Sequence, residues 1–153
     1  MEAFFFDSSA LVKFYISETG TAWVKSLGDP VAGNRLYVAR IAGVEVVSAI
    51  TRSQRAGAIA GNDAATALAD FRTDFADEYV IAELDAALLS EEMGLAERHA
   101  LRGYDAVQLA AALTVSRQRL AASLPTPTLI SADLALNNAA IDEGLAVDDP
   151  NSH

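Results

Sequence analysis

The sequence predicts an α/β fold: a mostly parallel central sheet of four to five strands flanked by helices on both faces, with residues 1–153 forming one domain. Two observations lead there. Strand-like runs alternate with helical periods in the order β-α-α-β-α-α-β-α-α-β-α-β. A chain of 153 residues is also long enough to bury roughly 70% of the surface its unfolded form exposes, so it needs no covalent staples.

The elements follow in order. AFFF (residues 3–6) reads as a short buried strand. A helix begins within SSALVKFY, where Asp7, Ser8 or Ser9 could each cap the free N–H groups. A second short helix is expected from Glu18 to about Leu27, and the turn-rich GDPVAGN leads into the strand LYVAR. Ile41, Val44, Val47 and Ile50 recur at helical spacing up to about Arg55, where Gly57 and Gly61 punctuate the end. Asn62 then reads as the cap of a helix reaching Asp77. YVIAEL alternates like a third strand, and Asp85 caps a helix carrying Leu88, Leu89, Met93 and Leu95. Tyr104 to about Leu120 is an alanine-rich helix suited to close packing. The strand TLIS, a helix over about Leu134–Glu143, and a last strand LAV after Gly144 complete the chain.

Composition narrows the chemistry. The absence of cysteine removes disulfides, zinc-thiolate sites and cysteine nucleophiles, and fits a reducing compartment. The AFFF opening is too short for a membrane span or a secretory h-region and follows Glu2 rather than a basic segment, so a soluble cytoplasmic protein with no membrane partner is expected. The net charge of −10 counts against a generic polyanion binder. That charge is uneven: residues 1–60 carry six basic and five acidic residues, the remainder five and sixteen, which leaves room for a mildly basic groove beside the N-terminal half.

Four acids stand in or against apolar segments: Asp7 in AFFFDSSALV, Glu45 in RIAGVEVVSAI, Asp105 in YDAVQLAAAL and Asp133 after PTLISA. Singly, Asp7, Asp105 and Asp133 are well placed as helix caps, and Glu45 could lie on a solvated helix face. Together they suggest more. No lysine lies in those four segments, so converging carboxylates would repel unless a divalent cation held them ionised. In a parallel α/β fold, ligands bind beyond the carboxyl ends of the strands, where Asp7 and Asp133 fall and where Asp105 and Glu45 could join them.

These segments, FFFDSSALVKFY, VEVVSAI, YDAVQLAAAL and LISADLALNNAAIDEGLAV, resemble in order and distance the PIN-domain nucleases, and specifically the VapC-type toxin ribonucleases of toxin–antitoxin pairs. The resemblance spans nearly the whole chain. It implies a PIN-like fold, acidic positions at Asp7, Glu45, Asp105 and Asp133, and a hydroxyl at Ser9 that orients them. Ser131 satisfies the threonine or serine usual two residues ahead of the fourth acid. Ala132 stands where an aromatic is often found, and Asp149 where asparagine precedes proline. The family likeness further implies Mg²⁺ or Mn²⁺, cleavage of RNA to 5′-phosphate and 3′-hydroxyl ends, a homodimer, and a cognate VapB-type antitoxin.

The residue types suit that chemistry, because hard cations prefer carboxylate oxygens and can activate water against a phosphodiester. Metal-free cleavage would want a histidine pair, whereas only His99 and His153 exist and His99 reads as a surface residue. Lys13 reads as solvated or snorkelling rather than as a phosphate ligand. Arg98 and Arg102, just ahead of Asp105, either meet RNA phosphates or solvate a helix end; Arg40 is a further weak candidate for RNA contact. A haloacid-dehalogenase phosphatase would carry a second aspartate at the position of Ser9, and a receiver domain a lysine after its last strand, but no lysine follows Lys25. The alternative to a nuclease is a non-catalytic PIN-like binding module. Trp23, Leu27, Leu68 and Phe71 are the apolar residues expected at a dimer face.

Overall fold

Phe4, Phe5 and Phe6 cannot all face one way along an extended chain, and their alternation founds two separate cores. The computed structural model describes residues 1–153. Strand β1 (Ala3–Phe6) sends Phe5 to one face of the sheet and Phe4 and Phe6 to the other. Strands β2 (Arg35–Ala39), β3 (Val80–Ala82), β4 (Thr128–Ile130) and β5 (Ala146–Asp148) join it in an all-parallel sheet of order β3-β2-β1-β4-β5. β1 is therefore central, and burying each phenylalanine there contributes about 1.5–3 kcal/mol.

Helices α1 (Ser8–Leu11), α2 (Thr21–Leu27), α3 (Ala42–Arg55) and α4 (Gly61–Asp77) cover the Phe4 and Phe6 face, through residues such as Leu11, Val24, Ile50 and Phe71. Helices α5 (Leu89–His99), α6 (Gly103–Ala121) and α7 (Leu134–Asp142) cover the Phe5 face. Helix α6 buries Ala106, Ala110, Ala111 and Ala112 around Leu109, and these small side chains let it approach the sheet and its helical neighbours closely.

The order of strands creates a crevice. From β1 the chain steps outward through β2 to β3, then returns to lay β4 on the opposite side of β1 and steps out to β5. Between the ends of β1 and β4 the direction of winding reverses, which is where open α/β sheets leave room for a ligand.

Several expectations shift. The second helix starts at Thr21 rather than near Glu18, because Gly20 takes a left-handed φ of 82° immediately before it. Helix α4 starts at Gly61 with Ala60 as its N-cap, so Asn62 lies inside the first turn; that end is exposed and water can serve its free N–H groups. Asp85 does cap, accepting from the Leu88 N–H of a short 3-10 turn ahead of α5. Of the residues expected at a dimer face, Phe71 is buried, and Trp23, Leu27 and Leu68 are partly buried against the same core. Apolar side chains left outside include Leu89, Met93 and Tyr104.

Lys13 is neither solvated nor free for RNA. It is 2% exposed, donates to the Thr19 carbonyl at 2.8 Å and Asn151 Oδ1 at 3.0 Å, and pairs with Glu18 at 3.4 Å. It fastens the C-terminal turn to the α1–α2 connection, since a desolvated ammonium must keep such partners.

Gly20 and Gly33 separate two causes of strain. Both have positive φ, but a Cβ at Gly20 would stand 2.1 Å from the Pro150 carbonyl oxygen, whereas one at Gly33 would meet nothing within 4 Å. Gly33→Ala should therefore cost only the left-handed penalty of about 1–2 kcal/mol, and Gly20→Ala clearly more, as read from denaturant melts of the two variants side by side.

Candidate active site

Asp7 directly follows β1, and its backbone N–H donates to the Ile130 carbonyl of β4 at 3.2 Å. Its side chain, 3% exposed, caps α1 by accepting from the Ala10 N–H at 3.0 Å. Capping does not exhaust it. Ser9 Oγ donates at 2.7 Å to Asp7 Oδ1 and lies 2.9 Å from Oδ2, and Ser131 Oγ donates to Oδ2 at 2.9 Å. Burial dominates these bonds and pushes the Asp7 carboxyl from 3.8 up to about 6; Ser9, Ala10 and Ser131 pull it down, and repulsion from Glu45 adds the smallest push upward. The expected mutual repulsion of the acids is thus a minor cause beside desolvation.

A chain of polar contacts carries this arrangement outward. Ser131 Oγ accepts from the Asp133 N–H at 3.0 Å, and Ser9 Oγ accepts from the Ala132 N–H at 2.9 Å. Asp133 caps α7 through the Leu136 N–H at 2.9 Å. Buried Asn137, one turn into α7, donates to the Ser131 carbonyl at 2.8 Å and so steadies the β4–α7 turn.

Glu45 enters from the first turn of α3, and both its oxygens are held: Ser8 Oγ donates to Oε2 at 2.9 Å and Gln108 Nε2 to Oε1 at 2.8 Å. Gln108 is 1% exposed on α6, one turn beyond Asp105. Because α3 and α6 lie on opposite faces of the sheet, this contact ties the two layers together over the strand ends. Asp105 sits inside the first turn of α6 rather than at its cap, since the helix opens at Gly103 with Arg102 as N-cap.

Asp7, Glu45, Asp105 and Asp133 all line one cleft of about 460 Å³ beyond the ends of β1 and β4. Ser8, Ser9, Arg52, Arg102 and Tyr104 share its wall. As placed, no three carboxylate or imidazole groups stand close enough to hold an ion directly. The donor set nonetheless suits a hard divalent cation: it is entirely oxygen, and Asp7 is buried with hydroxyl and amide partners but no cation among them.

Of the weaker candidates, only Arg102 lines the cleft. Arg40 pairs with Glu83, and Arg98 with Glu143 at 2.7 Å, both outside the cleft wall. His99 is not a surface residue: its side chain is 12% exposed and Nε2 lies 2.7 Å from Glu143, joining α5 to α7. His153 stacks on Trp23 with centroids 3.9 Å apart, so neither imidazole serves the cleft. Sequence reasoning missed Ser8, Gln108 and Arg52. Gln108 carried a signal, being an amide in the apolar run AVQLAAAL, whereas Ser8 and Arg52 carried none.

No family model matches the chain. Two curated relatives, Ribonuclease VapC45 and Ribonuclease VapC49, from the CDC 1551 / Oshkosh and ATCC 25618 / H37Rv strains of Mycobacterium tuberculosis, are each 35% identical over 115 residues, 75% of this chain and 78% of theirs. Among solved structures, PAE2754 from Pyrobaculum aerophilum aligns with a TM-score of 0.61 at 18% identity, over 99% of this chain and 91% of its own. VapBC2 from Rickettsia felis, bound to a DNA fragment from its promoter, gives 0.60 at 12% identity over 96% and 98%. FitAcB from Neisseria gonorrhoeae gives 0.55 at 16% over 96% and 97%. At those identities the structural likeness is one of fold.

A carboxyl whose folded value lies above its unfolded one favours the fold at low pH, and that contribution is lost as pH rises through the folded value. For Asp7 the window runs from 3.8 to about 6, and ionisation above it costs the metal-free fold on the order of 3 kcal/mol. Asp7→Asn should therefore melt higher than wild type in chelator at pH 8, with the advantage shrinking toward pH 4. Thermal melts across that range check it; a pH-independent difference would mean that Asp7 is ionised at no cost.

Proposed function

The chain belongs to the family of VapC ribonucleases, and from that premise we propose that it is a metal-dependent endoribonuclease toxin acting in the cytoplasm, held in check by a VapB-type antitoxin, with residues 1–153 working as one PIN domain. The observation that carries the reading is the cleft itself: four carboxylates arriving from four segments, one of them buried without a cationic partner.

Asp7, Glu45, Asp105 and Asp133 would hold Mg²⁺, or Mn²⁺ in its place, partly through water. When bound, the cation supplies Lewis-acid activation of water and of the phosphodiester. The chain's residues do the rest. Ser9 and Ser131 orient Asp7, Ser8 and Gln108 orient Glu45, and these partners keep the carboxylate oxygens aimed into the cleft rather than at solvent. Arg52, exposed on the cleft wall, offers charge to an RNA phosphate. The antitoxin is expected to occupy the same cleft. A homodimer would draw on the outward-facing Leu89, Met93 and Tyr104 rather than on Phe71, which is buried.

Cleavage of a single-stranded RNA should require Mg²⁺ or Mn²⁺ and stop in chelator, and Asp7→Asn or Asp105→Asn should lower the rate by about a hundredfold or more. Loss of an outer partner should cost less: Ser131→Ala is expected to weaken metal binding or rate about 10- to 100-fold. Mg²⁺ should also raise the melting temperature of the wild type more than that of Asp7→Asn, because it binds the folded site alone. Full activity in chelator defeats the proposal, and protein that binds metal but cuts no RNA points to the non-catalytic module.

A further inference from the structure

Arg102 offsets two of the four acids that its own motif leaves without a lysine. Its Nε donates to Asp105 Oδ2 at 3.0 Å, and its terminal NH2 group donates to Asp133 Oδ2 at 2.9 Å. One guanidinium thus bridges the first turn of α6 and the N-cap of α7. The contact is not a buried structural tie, for the Arg102 side chain is 81% exposed. It makes no side-chain cap bond to α6 either.

Its backbone, by contrast, is fixed. Ala100 holds a left-handed φ of 52°, costly for a residue with a Cβ, and the Leu101 N–H closes the end of α5 on the Ala96 carbonyl at 3.2 Å. The Arg102 carbonyl in turn accepts from the Ala106 N–H at 3.0 Å to open α6. A backbone held at both ends thus carries a long, exposed side chain whose head rests on carboxylate oxygens in the cleft.

We propose that Arg102 is a positioning residue with two stations: without metal it is the internal counter-cation that holds Asp105 and Asp133 together, and when a divalent cation takes those oxygens it is released to the cleft rim to bind an RNA phosphate. The inference rests on the ribonuclease reading and extends it by linking metal entry to substrate capture. A divalent cation held by Asp105 and Asp133 would compete with the guanidinium for the same two carboxylates, so the arginine weakens metal binding in the absence of RNA. A phosphate gives the displaced guanidinium a bidentate partner, so RNA favours the metal-loaded arrangement. Metal and RNA therefore bind with positive coupling that runs through this side chain.

The test is calorimetric titration of Mn²⁺ into the purified wild type, Arg102→Gln and Arg102→Lys, alongside steady-state cleavage of a fluorescent single-stranded RNA. Removing two exposed ion pairs should let Arg102→Gln bind Mn²⁺ about fivefold more tightly than wild type. Its KM for RNA should rise about tenfold through loss of the phosphate contact. Arg102→Lys keeps the charge but cannot bridge both carboxylates, so it should bind Mn²⁺ more tightly than wild type while recovering most of the RNA affinity. Unchanged or weaker Mn²⁺ binding by Arg102→Gln, in a wild type that binds Mn²⁺ and cuts RNA, overturns this inference alone. A wild type that neither binds Mn²⁺ nor cuts RNA overturns the ribonuclease reading, and the inference with it.

Discussion

A carboxylate with almost no exposed surface ends the central strand, and the architecture around the switch point is organised to keep it there. Burying Asp7 is costly unless its oxygens are bonded, and the bonds come from three places at once: the start of α1, Ser9 within that helix, and Ser131 at the end of β4. Ser131 can reach Asp7 only if β1 and β4 are neighbours in the observed register, with Phe6 beside Ile130. Ser131 also receives the Asp133 N–H, so the turn that delivers the fourth acid is set by the same hydroxyl that solvates the first. Strand pairing and site assembly are here one constraint.

Charge is distributed to match. Several cations are engaged away from the cleft: Lys13 is buried, Arg40 and Arg98 are paired with glutamates, and Arg117 makes a two-point contact with Glu91 at 2.9 Å. What remains at the cleft wall is Arg52 and Arg102, set against four carboxylates. The acidic total therefore gives no long-range attraction for a polyanion, and affinity has to come from contacts made inside the cleft. A site of this kind depends on cations, whether its own arginine or an ion from solution, to be electrostatically tolerable to phosphate.

The strands were legible because three phenylalanines in succession, or Leu-Tyr-Val, admit few readings when bounded by turn residues and acids. Helix starts were less so. Asn62 looks like a cap by type, but Gly61 and an extended Ala60 let α4 begin two residues earlier, and nothing in residue preference forbids that. Lys13 and His99 were misplaced for a related reason: Asn151 and Glu143, which help to hold them, are distant in sequence, so local pattern assigned to solvent what the fold pairs. Of Trp23, Leu27, Leu68 and Phe71, only Phe71 is fully buried and the others pack partly buried against the same core, because a helical stripe looks the same whether it meets a partner or its own sheet.

Read alone, the sequence determined the element types, the parallel sheet with helices on both faces, and the four acids at strand ends and helix starts, because each depends on local periodicity, turn chemistry and the rarity of a charge in an apolar run. Only the tertiary structure decided which polar groups attend those acids. Gln108 reaches Glu45 across 63 residues, Ser131 reaches Asp7 across 124, and Arg102 reaches Asp133 across 31. Hydrogen bonds and ion pairs act over about 3 Å of space whatever the separation along the chain, so no local pattern encodes them.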